Sequence, residues 1–213
     1  MARFAQTLSG RDELRALYRE PSALVQRKKL DHLDATARAF VAASPFCLMA
    51  TSNAEGRCDV SPRGGPAGFV RALDEHRLAL PDLSGNNLLD SLENIVDNPH
   101  VGMLFVLPGR DETLRVEGNA VLTTDPEVLA SWDGELRRPK VAIGVEVGEA
   151  FVHCAKSFRR GQVWDAGSWA GHAGAPDACV LLVEGLGLDA TAEEVRASLE
   201  KGYAHDLEAE RTV

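Results

Sequence analysis

Apolar and polar positions change their spacing near residue 44, where a helical pattern gives way to a pattern of short strands. Residues 3–43 carry apolar side chains at helical spacing, with Asp34 as a candidate N-cap for the last helix of this arm. Between residues 46 and 80, short apolar runs alternate with turns, which is typical of antiparallel strands rather than of a Rossmann unit. The pattern therefore predicts a helical N-terminal arm followed by an antiparallel sheet or barrel.

The clearest helical pattern in the chain covers residues 86–98. Its apolar stripe consists of Leu88, Leu92, Ile95 and Val96. Residues 101–107 are apolar on both faces, which predicts a central strand that is covered on both sides. Two alternating segments, residues 113–122 and 141–147, predict two further strands.

Beyond residue 151 the pattern is irregular, and the Gly- and Ala-rich stretch at residues 166–175 predicts a loop. Residues 178–188 are apolar and are expected to pack on the core, whereas residues 192–210 predict a charged C-terminal helix. We expect one domain of the α+β class, mainly β with flanking helices. Its parts are a helical arm at 1–43, a core at 44–165 and a loop and helical extension at 166–213.

The composition disfavours several classes of partner. The formal net charge is −9 at pH 7, whereas a protein that binds nucleic acid or an anionic membrane normally carries a basic face. No apolar run approaches the roughly 18 to 20 residues that a membrane span needs, and the mixed, charged N-terminus does not resemble a signal peptide. The four cysteines are widely spaced without a C-x-x-C pair, so no metal site is predicted and a cytoplasmic location is expected.

The segment Ser61-Pro62-Arg63-Gly64-Gly65 contains residue types that hold a phosphate. Arg63 supplies a guanidinium for bidentate binding, Ser61 supplies a hydroxyl, and Gly64 lets backbone amides approach an anion closely. The alternative is a hairpin turn whose arginine faces solvent. In so acidic a chain, an anionic cofactor requires cations that are concentrated locally, which makes Arg63 informative.

A second candidate is the segment Ser84-Gly85-Asn86-Asn87 at the start of the predicted helix. Unpaired N–H groups and the helix dipole favour an anion there, and the amides of Asn86 and Asn87 add hydrogen-bond donors. The alternative is ordinary N-capping by Ser84 or Asn86. Just before this segment, Asp82 supplies a carboxylate that is expected to hold Arg63 through an ion pair.

Two later stretches add candidate cations. Arg115 is the only cation on its predicted strand and lies opposite the apolar face; the alternative is a surface arginine paired with Glu117. Lys156 and Arg159 form a basic cluster beside Trp164, and an aromatic ring with nearby cations is suited to flank a flavin ring and its phosphate. The alternative is a solvated helix end with Trp164 as a packing residue.

Four segments follow one another in a characteristic order. They are ATSNAEGRCDVSPRGGPAGFV, LALPDLSGNNLLDSLENIVDNPHVGMLFVLPG, ETLRVEGNAVLTTDP and FVHCAKSFRRGQVW. Together they resemble the pyridoxamine 5'-phosphate oxidase-like superfamily of flavin-binding split barrels. Within it, the chain is similar to a bacterial branch of FMN-dependent enzymes of unknown substrate.

The resemblance implies a six-stranded antiparallel split barrel that forms a homodimer, with FMN bound at the subunit interface. From the segments and the resemblance together, the expected cofactor-binding residues are Ser61, Arg63, Gly64, Asp82, Asn86, Asn87, Arg115, Lys156, Arg159 and Trp164.

The expected function is that of an FMN-dependent oxidoreductase, which acts on a small organic substrate by hydride transfer at the flavin. No catalytic acid or base is assigned. Vitamin B6 oxidation is not the expected reaction, because the chain ends in a Gly/Ala loop and an acidic helix where the B6-oxidising members carry substrate-phosphate residues. The alternatives are a non-catalytic flavin-binding or storage protein, and a relative of the same fold that handles a deazaflavin or heme.

Overall fold

Seven antiparallel strands form one sheet in the computed structural model, which describes residues 4–211. The strands are β1 (Phe46–Ser52), β2 (Cys58–Gly64), β3 (Arg71–Ala72), β4 (Arg77–Pro81), β5 (His100–Val106), β6 (Thr113–Thr123) and β7 (Ala142–His153). Their order across the sheet is β2-β1-β5-β6-β7-β4-β3. The predicted antiparallel α+β architecture is confirmed, with seven strands instead of six, since the two-residue β3 pairs with β4 at one edge.

Helices flank the sheet and occupy both ends of the chain. They are α1 (Arg11–Ala16), α2 (Ala23–Arg27), α3 (Ala35–Ala43), α4 (Asp90–Asp97), α5 (Pro126–Ala130), α6 (Lys156–Arg160), α7 (Ala166–Trp169), α8 (Ala178–Leu186) and α9 (Ala192–Glu210). Asp34 caps α3 as predicted, because its side chain accepts a hydrogen bond from the N–H of Ala37 at 2.7 Å. Across residues 4–211, no helix is both long and apolar enough to cross a membrane.

Strand alternation gives the sheet one buried face and one half-covered face. On β1, Cys47 and Met49 are buried, whereas the residues on either side of them are half-exposed. On β5, Phe105 is fully buried and Leu104 is half-exposed. The prediction that β5 is covered on both faces is therefore wrong for a single chain, because no described element covers its second face completely.

Helix α4 begins at Asp90, later than the helix predicted at residues 86–98. Asn87 and Leu89 have φ angles of 57° and 60°, in the left-handed region, which interrupts a right-handed helix. Of the predicted apolar stripe, Leu92 and Ile95 are buried, whereas Leu88 and Val96 are exposed. The segment from residue 82 to residue 89, called the β4–α4 loop below, is therefore irregular.

The C-terminal extension forms the predicted charged helix but does not pack as predicted. Helix α9 begins with a capping box in which Thr191 and Glu194 bond each other's backbone N–H groups. Helix α8 packs against α9, buries Cys179 and exposes Leu181 and Leu186, so residues 178–188 do not join the core. An apolar pattern predicts that a segment is buried, but it does not specify which part of the protein the segment packs against. The stretch predicted as a loop contains α7 and a 3-10 turn at Ala170–His172.

Trp132 is fully buried just beyond α5, and its ring N–H donates to the backbone carbonyl of Phe69 at 2.7 Å. The substitution Trp132→Phe should lower the free energy of unfolding by about 1–3 kcal/mol, because it leaves this buried carbonyl without a donor and opens a small cavity. Urea denaturation monitored by circular dichroism measures the change.

The matched control is Trp169→Phe, since the Trp169 side chain is 55% exposed. That variant should stay within about 0.5 kcal/mol of the wild-type stability. Equal destabilisation by the two substitutions would contradict the structural role assigned to Trp132.

Candidate functional site

A cavity of about 440 Å³, called the β2 cavity below, lies where β2, the β4–α4 loop and the start of α4 meet. The predicted residues that line it are Ser61, Arg63, Gly64, Asp82, Asn86 and Asn87. The predicted residues that do not line it are Arg115, Lys156, Arg159 and Trp164. The fold thus divides the predicted cofactor residues into two groups within one chain.

Ser61 and Arg63 lie on the same face of β2 because strand residues two apart share a face. Arg63 donates from Nε to Ser61 Oγ at 3.1 Å, and Ser61 Oγ lies 3.2 Å from Ser91 Oγ on α4. The Arg63 side chain is only 22% exposed, so it is not a solvent-facing turn arginine. Within residues 4–211, its two terminal nitrogens make no hydrogen bond and remain available to an anion.

Arg63 and Asp82 form the ion pair that the sequence predicted, with Nη1 of Arg63 3.8 Å from Oδ1 of Asp82. Burial raises the pKa of the Asp82 carboxyl above its ordinary value, and the nearby guanidinium partly counteracts this. Burial is thus the larger influence on the Asp82 pKa. We conclude that the pair is loose and does not saturate the Arg63 guanidinium.

Asn86 and Asn87 line the β2 cavity from the β4–α4 loop rather than from a helix N-terminus. Oδ1 of Asn86 accepts the backbone N–H of Leu88 at 3.0 Å, which forms an Asx turn. The predicted contribution of the helix dipole is wrong, because the helix begins later and its first turn carries Asp90 and Glu93. The side-chain amides of the two asparagines supply hydrogen-bond donors to the lining of the cavity.

Ser91 is a cavity residue that the sequence analysis missed. It is only 5% exposed, and its hydroxyl contacts that of Ser61 across the space between α4 and β2. The sequence spacing could have identified it. Ser91 lies three residues after Leu88 and four before Ile95, and so falls on the helical stripe predicted to be apolar. A polar residue on a buried stripe indicates either an internal partner or a ligand.

Arg115 lies on the opposite face of the sheet from Arg63. Register pairs it with Leu104 on β5 and with Phe151 on β7, and its guanidinium carbon is 5.5 Å from the centroid of the Phe151 ring. It forms an ion pair with Glu117, as in the alternative interpretation. Arg115 is therefore an exposed residue of the outer face and is separated from the β2 cavity by the sheet.

Two lysines of the N-terminal arm join Arg115 around the Phe151 ring. Nζ of Lys28 and Nζ of Lys29 lie 4.7 and 5.3 Å from the ring centroid. Lys28 donates to the carbonyl of Val152 at 3.0 Å, which holds the arm against β7. The sequence could not reveal this cluster, because a helical pattern does not specify which surface the arm reaches.

Lys156, Arg159 and Trp164 lie beyond the end of β7. Trp164 donates from its ring N–H to the carbonyl of Arg110 at 2.7 Å, and its ring packs 5.7 Å from that of Phe158. Arg159 pairs with Asp111 at 2.9 Å, and Lys156 is exposed at the start of α6. In one chain, this segment is a helix end that packs on the turn between β5 and β6, as in the alternative interpretation.

A family model for pyridoxamine 5'-phosphate oxidase matches residues 33–154, more than half of the chain. The chain belongs to the pyridoxamine 5'-phosphate oxidase family. The match covers all seven strands and the β2 cavity, and it leaves out α1, α2 and the helices from α6 to α9. This family is a flavin-binding one. No curated protein sequence matches the chain significantly.

Solved structures with related folds are distant in sequence. HupZ of Group A Streptococcus is 19% identical, with 56% of this chain and 92% of that chain covered at a TM-score of 0.47. An FMN-binding protein from Syntrophomonas wolfei subsp. wolfei is 8% identical, with 55% of this chain and 84% of that chain covered at a TM-score of 0.44. The family assignment rests on the family model and not on these structures.

The donors around the β2 cavity suit the flavin nucleotide that the pyridoxamine 5'-phosphate oxidase family binds. The β2 cavity, with a volume of about 440 Å³, is within the range of small-molecule sites. A half-buried guanidinium, three serines and two asparagine amides line the cavity, together with the carboxylates of Asp59, Asp82 and Asp90. The guanidinium, the hydroxyls and the amides match the needs of a phosphate and of the polar edge of a flavin ring. The residues present therefore fit the cofactor.

The substitution Arg63→Met should raise the pKa of Asp82 further, because it removes the positive charge that lowers this pKa and leaves the effect of burial. A carbon-13 NMR titration of the aspartate carboxyls measures the shift.

In the wild type, the folded state holds the Asp82 proton more tightly than the unfolded state does. The contribution of Asp82 to stability therefore declines as the pH rises above the ordinary aspartate range.

Arg77→Met is the control for this titration, since Arg77 pairs with Asp74 at 2.7 Å and not with Asp82. An unchanged or lowered Asp82 pKa in the Arg63 variant would show that the ion pair is absent in solution.

Proposed function

We propose that the chain binds FMN and acts as an FMN-dependent oxidoreductase on a small organic substrate. The observation that carries this proposal is the β2 cavity, where Arg63, Ser61, Asn86 and Asn87 converge in a chain of a flavin-binding family. In an acidic protein, a half-buried arginine whose two terminal nitrogens make no hydrogen bond within residues 4–211 favours an anion at this point.

Arg63 would hold the cofactor phosphate, and Ser61 would keep the guanidinium in place through its contact with Nε. Asp82 would hold the other side of the same guanidinium. The amides of Asn86 and Asn87 would bind polar atoms of the cofactor from the β4–α4 loop. A bound flavin supplies two-electron chemistry, and the protein's part is to bind and orient it.

The second group of predicted residues supports a shared site in a homodimer. Arg115, Lys156, Arg159 and Trp164 lie away from the β2 cavity of their own chain, so a second copy would have to present them to it. The half-covered face of the sheet, which includes Leu48 and Leu104, offers that copy an apolar surface. We therefore infer that each cofactor site combines the β2 cavity of one subunit with this second group of residues from the other.

Purified protein is expected to be yellow and to bind FMN, and Arg63→Ala should weaken binding by about 1–3 kcal/mol, through loss of a charge-assisted phosphate contact. Flavin fluorescence quenching gives the dissociation constant, and the absorption spectrum of the bound cofactor distinguishes a flavin from a deazaflavin or heme. Anaerobic addition of NADH or NADPH then separates an oxidoreductase, whose flavin bleaches promptly, from a storage protein.

Arg57→Ala is the matched control, because Arg57 belongs to the same hairpin and its side chain is 81% exposed. Equal FMN affinity in the wild type and the Arg63 variant would remove Arg63 from the site, and a colourless protein that takes up no FMN would overturn the proposal.

A mixing experiment tests the shared site. In a homodimer of either variant, Arg63→Ala or Arg115→Ala, both sites lack one arginine. In a mixed dimer, one site is intact, because it takes Arg63 from the Arg115→Ala subunit and Arg115 from the Arg63→Ala subunit. After unfolding and refolding an equal mixture, about one quarter of all sites should bind FMN with wild-type affinity, since random pairing makes half of the dimers mixed. Recovery that stays at the level of the separate variants would mean that both arginines act within one subunit or that Arg115 is not involved.

A further inference from the structure

Beside the β2 cavity, a second cavity of about 350 Å³ shares part of the β4–α4 loop as a wall. Its other walls are the segment from Arg137 to Lys140 and the last turns of α9, including Asp206 and Glu210. The C-terminal helix, which lies outside the family match, therefore reaches the loop that carries Asn86 and Asn87.

Glu210, the last residue of α9, bridges two loops. Its side-chain carboxylate accepts the backbone N–H of Ser84 at 2.8 Å. Its backbone carbonyl accepts the N–H of Arg137, also at 2.8 Å. Helix α9 buries no residue completely, and residues 201–208 are exposed while Ala209 and Glu210 are half-buried. Beyond its packing against α8, the helix is thus fixed to the loops beside the β2 cavity at its C-terminal end.

The β4–α4 loop has few other restraints. It leaves β4 with Asp82 donating to the carbonyl of Val141 at 3.0 Å, and the side chain of Leu83 packs against the core. From Leu83 to Asn87, the bond from Ser84 to Glu210 is the one hydrogen bond to a residue outside the loop in the part of the chain described. Loop segments with few tertiary hydrogen bonds open at low free-energy cost.

We propose that Glu210 is a positioning residue for the cofactor site. By binding the Ser84 N–H, its carboxylate fixes the β4–α4 loop and so presents Asn86 and Asn87 to the β2 cavity. This inference rests on the proposed function and adds to it, since it gives the C-terminal extension a role in cofactor retention. The extension acts here through one acceptor and not through burial of apolar surface.

The test compares Glu210→Ala, Glu210→Gln and Asp206→Ala by hydrogen–deuterium exchange of the flavin-free protein and by FMN titration. In Glu210→Ala, exchange in a peptide spanning residues 82–89 should quicken about fivefold and the FMN dissociation constant should rise by a similar factor, as expected for one lost hydrogen bond. Glu210→Gln keeps an acceptor oxygen and should restore both values to within about twofold of wild type.

Asp206→Ala removes a carboxylate from the same cavity without removing a hydrogen bond to the loop, so it should match the wild type. Unchanged loop exchange or unchanged FMN affinity in Glu210→Ala overturns the inference, as does a Gln variant that behaves like the Ala variant. Exchange in peptides from residues 192–205 shows whether α9 itself stays folded. If no variant, wild type included, binds FMN, the proposed function fails, and the loop exchange still reports whether Glu210 restrains the loop.

Discussion

Directly paired residues of antiparallel strands lie on the same face of a sheet, and this constraint separates Arg63 from Arg115. Arg63 is in register with Cys47, Phe105 and Leu114, a row that runs across four strands through the buried core. Arg115 belongs to the neighbouring row, on the other face. No side-chain rearrangement within one chain brings the two guanidinium groups together, because the sheet lies between them.

The half-covered face and the position of β2 follow from the same sheet geometry. Within the described residues, β2 is an edge strand that pairs with β1, and the β2 cavity is lined by this edge strand. Pro62, next to Arg63, lacks an N–H donor, and an edge strand is where a sheet tolerates proline. A second copy laid on the outer face would cover residues such as Leu48 and Leu104 without needing to extend the sheet. In a site built from two subunits, the edge strand would leave room for residues of the second copy, and the apolar face would hold that copy in place.

The local sequence pattern predicted those features that depend on contacts between residues close together in the chain. The predicted helix at residues 192–210 matches α9, whose start is fixed within one turn by the capping box of Thr191 and Glu194. The predicted cap at Asp34 is also a local contact, with the N–H of Ala37. The start of α4 was wrong, because the left-handed conformation of Asn87 and Leu89 is not encoded by apolar spacing. The position of Arg115 on its strand was readable, whereas its distance from the β2 cavity depends on strand order, which is a tertiary property.

Every predicted cofactor arginine already has a carboxylate partner within its own chain. The pairs are Arg63 with Asp82, Arg115 with Glu117 and Arg159 with Asp111. Binding an anion at any of them is therefore an exchange of partners, and the net gain is smaller than that of a new ion pair. Arg63 has the longest of these contacts, and its partner Asp82 has a pKa raised by burial, so the existing attraction does not offset the desolvation of that carboxylate. The exchange is thus least costly at Arg63, which favours Arg63 over Arg115 and Arg159 as the anion contact of the proposed cofactor site.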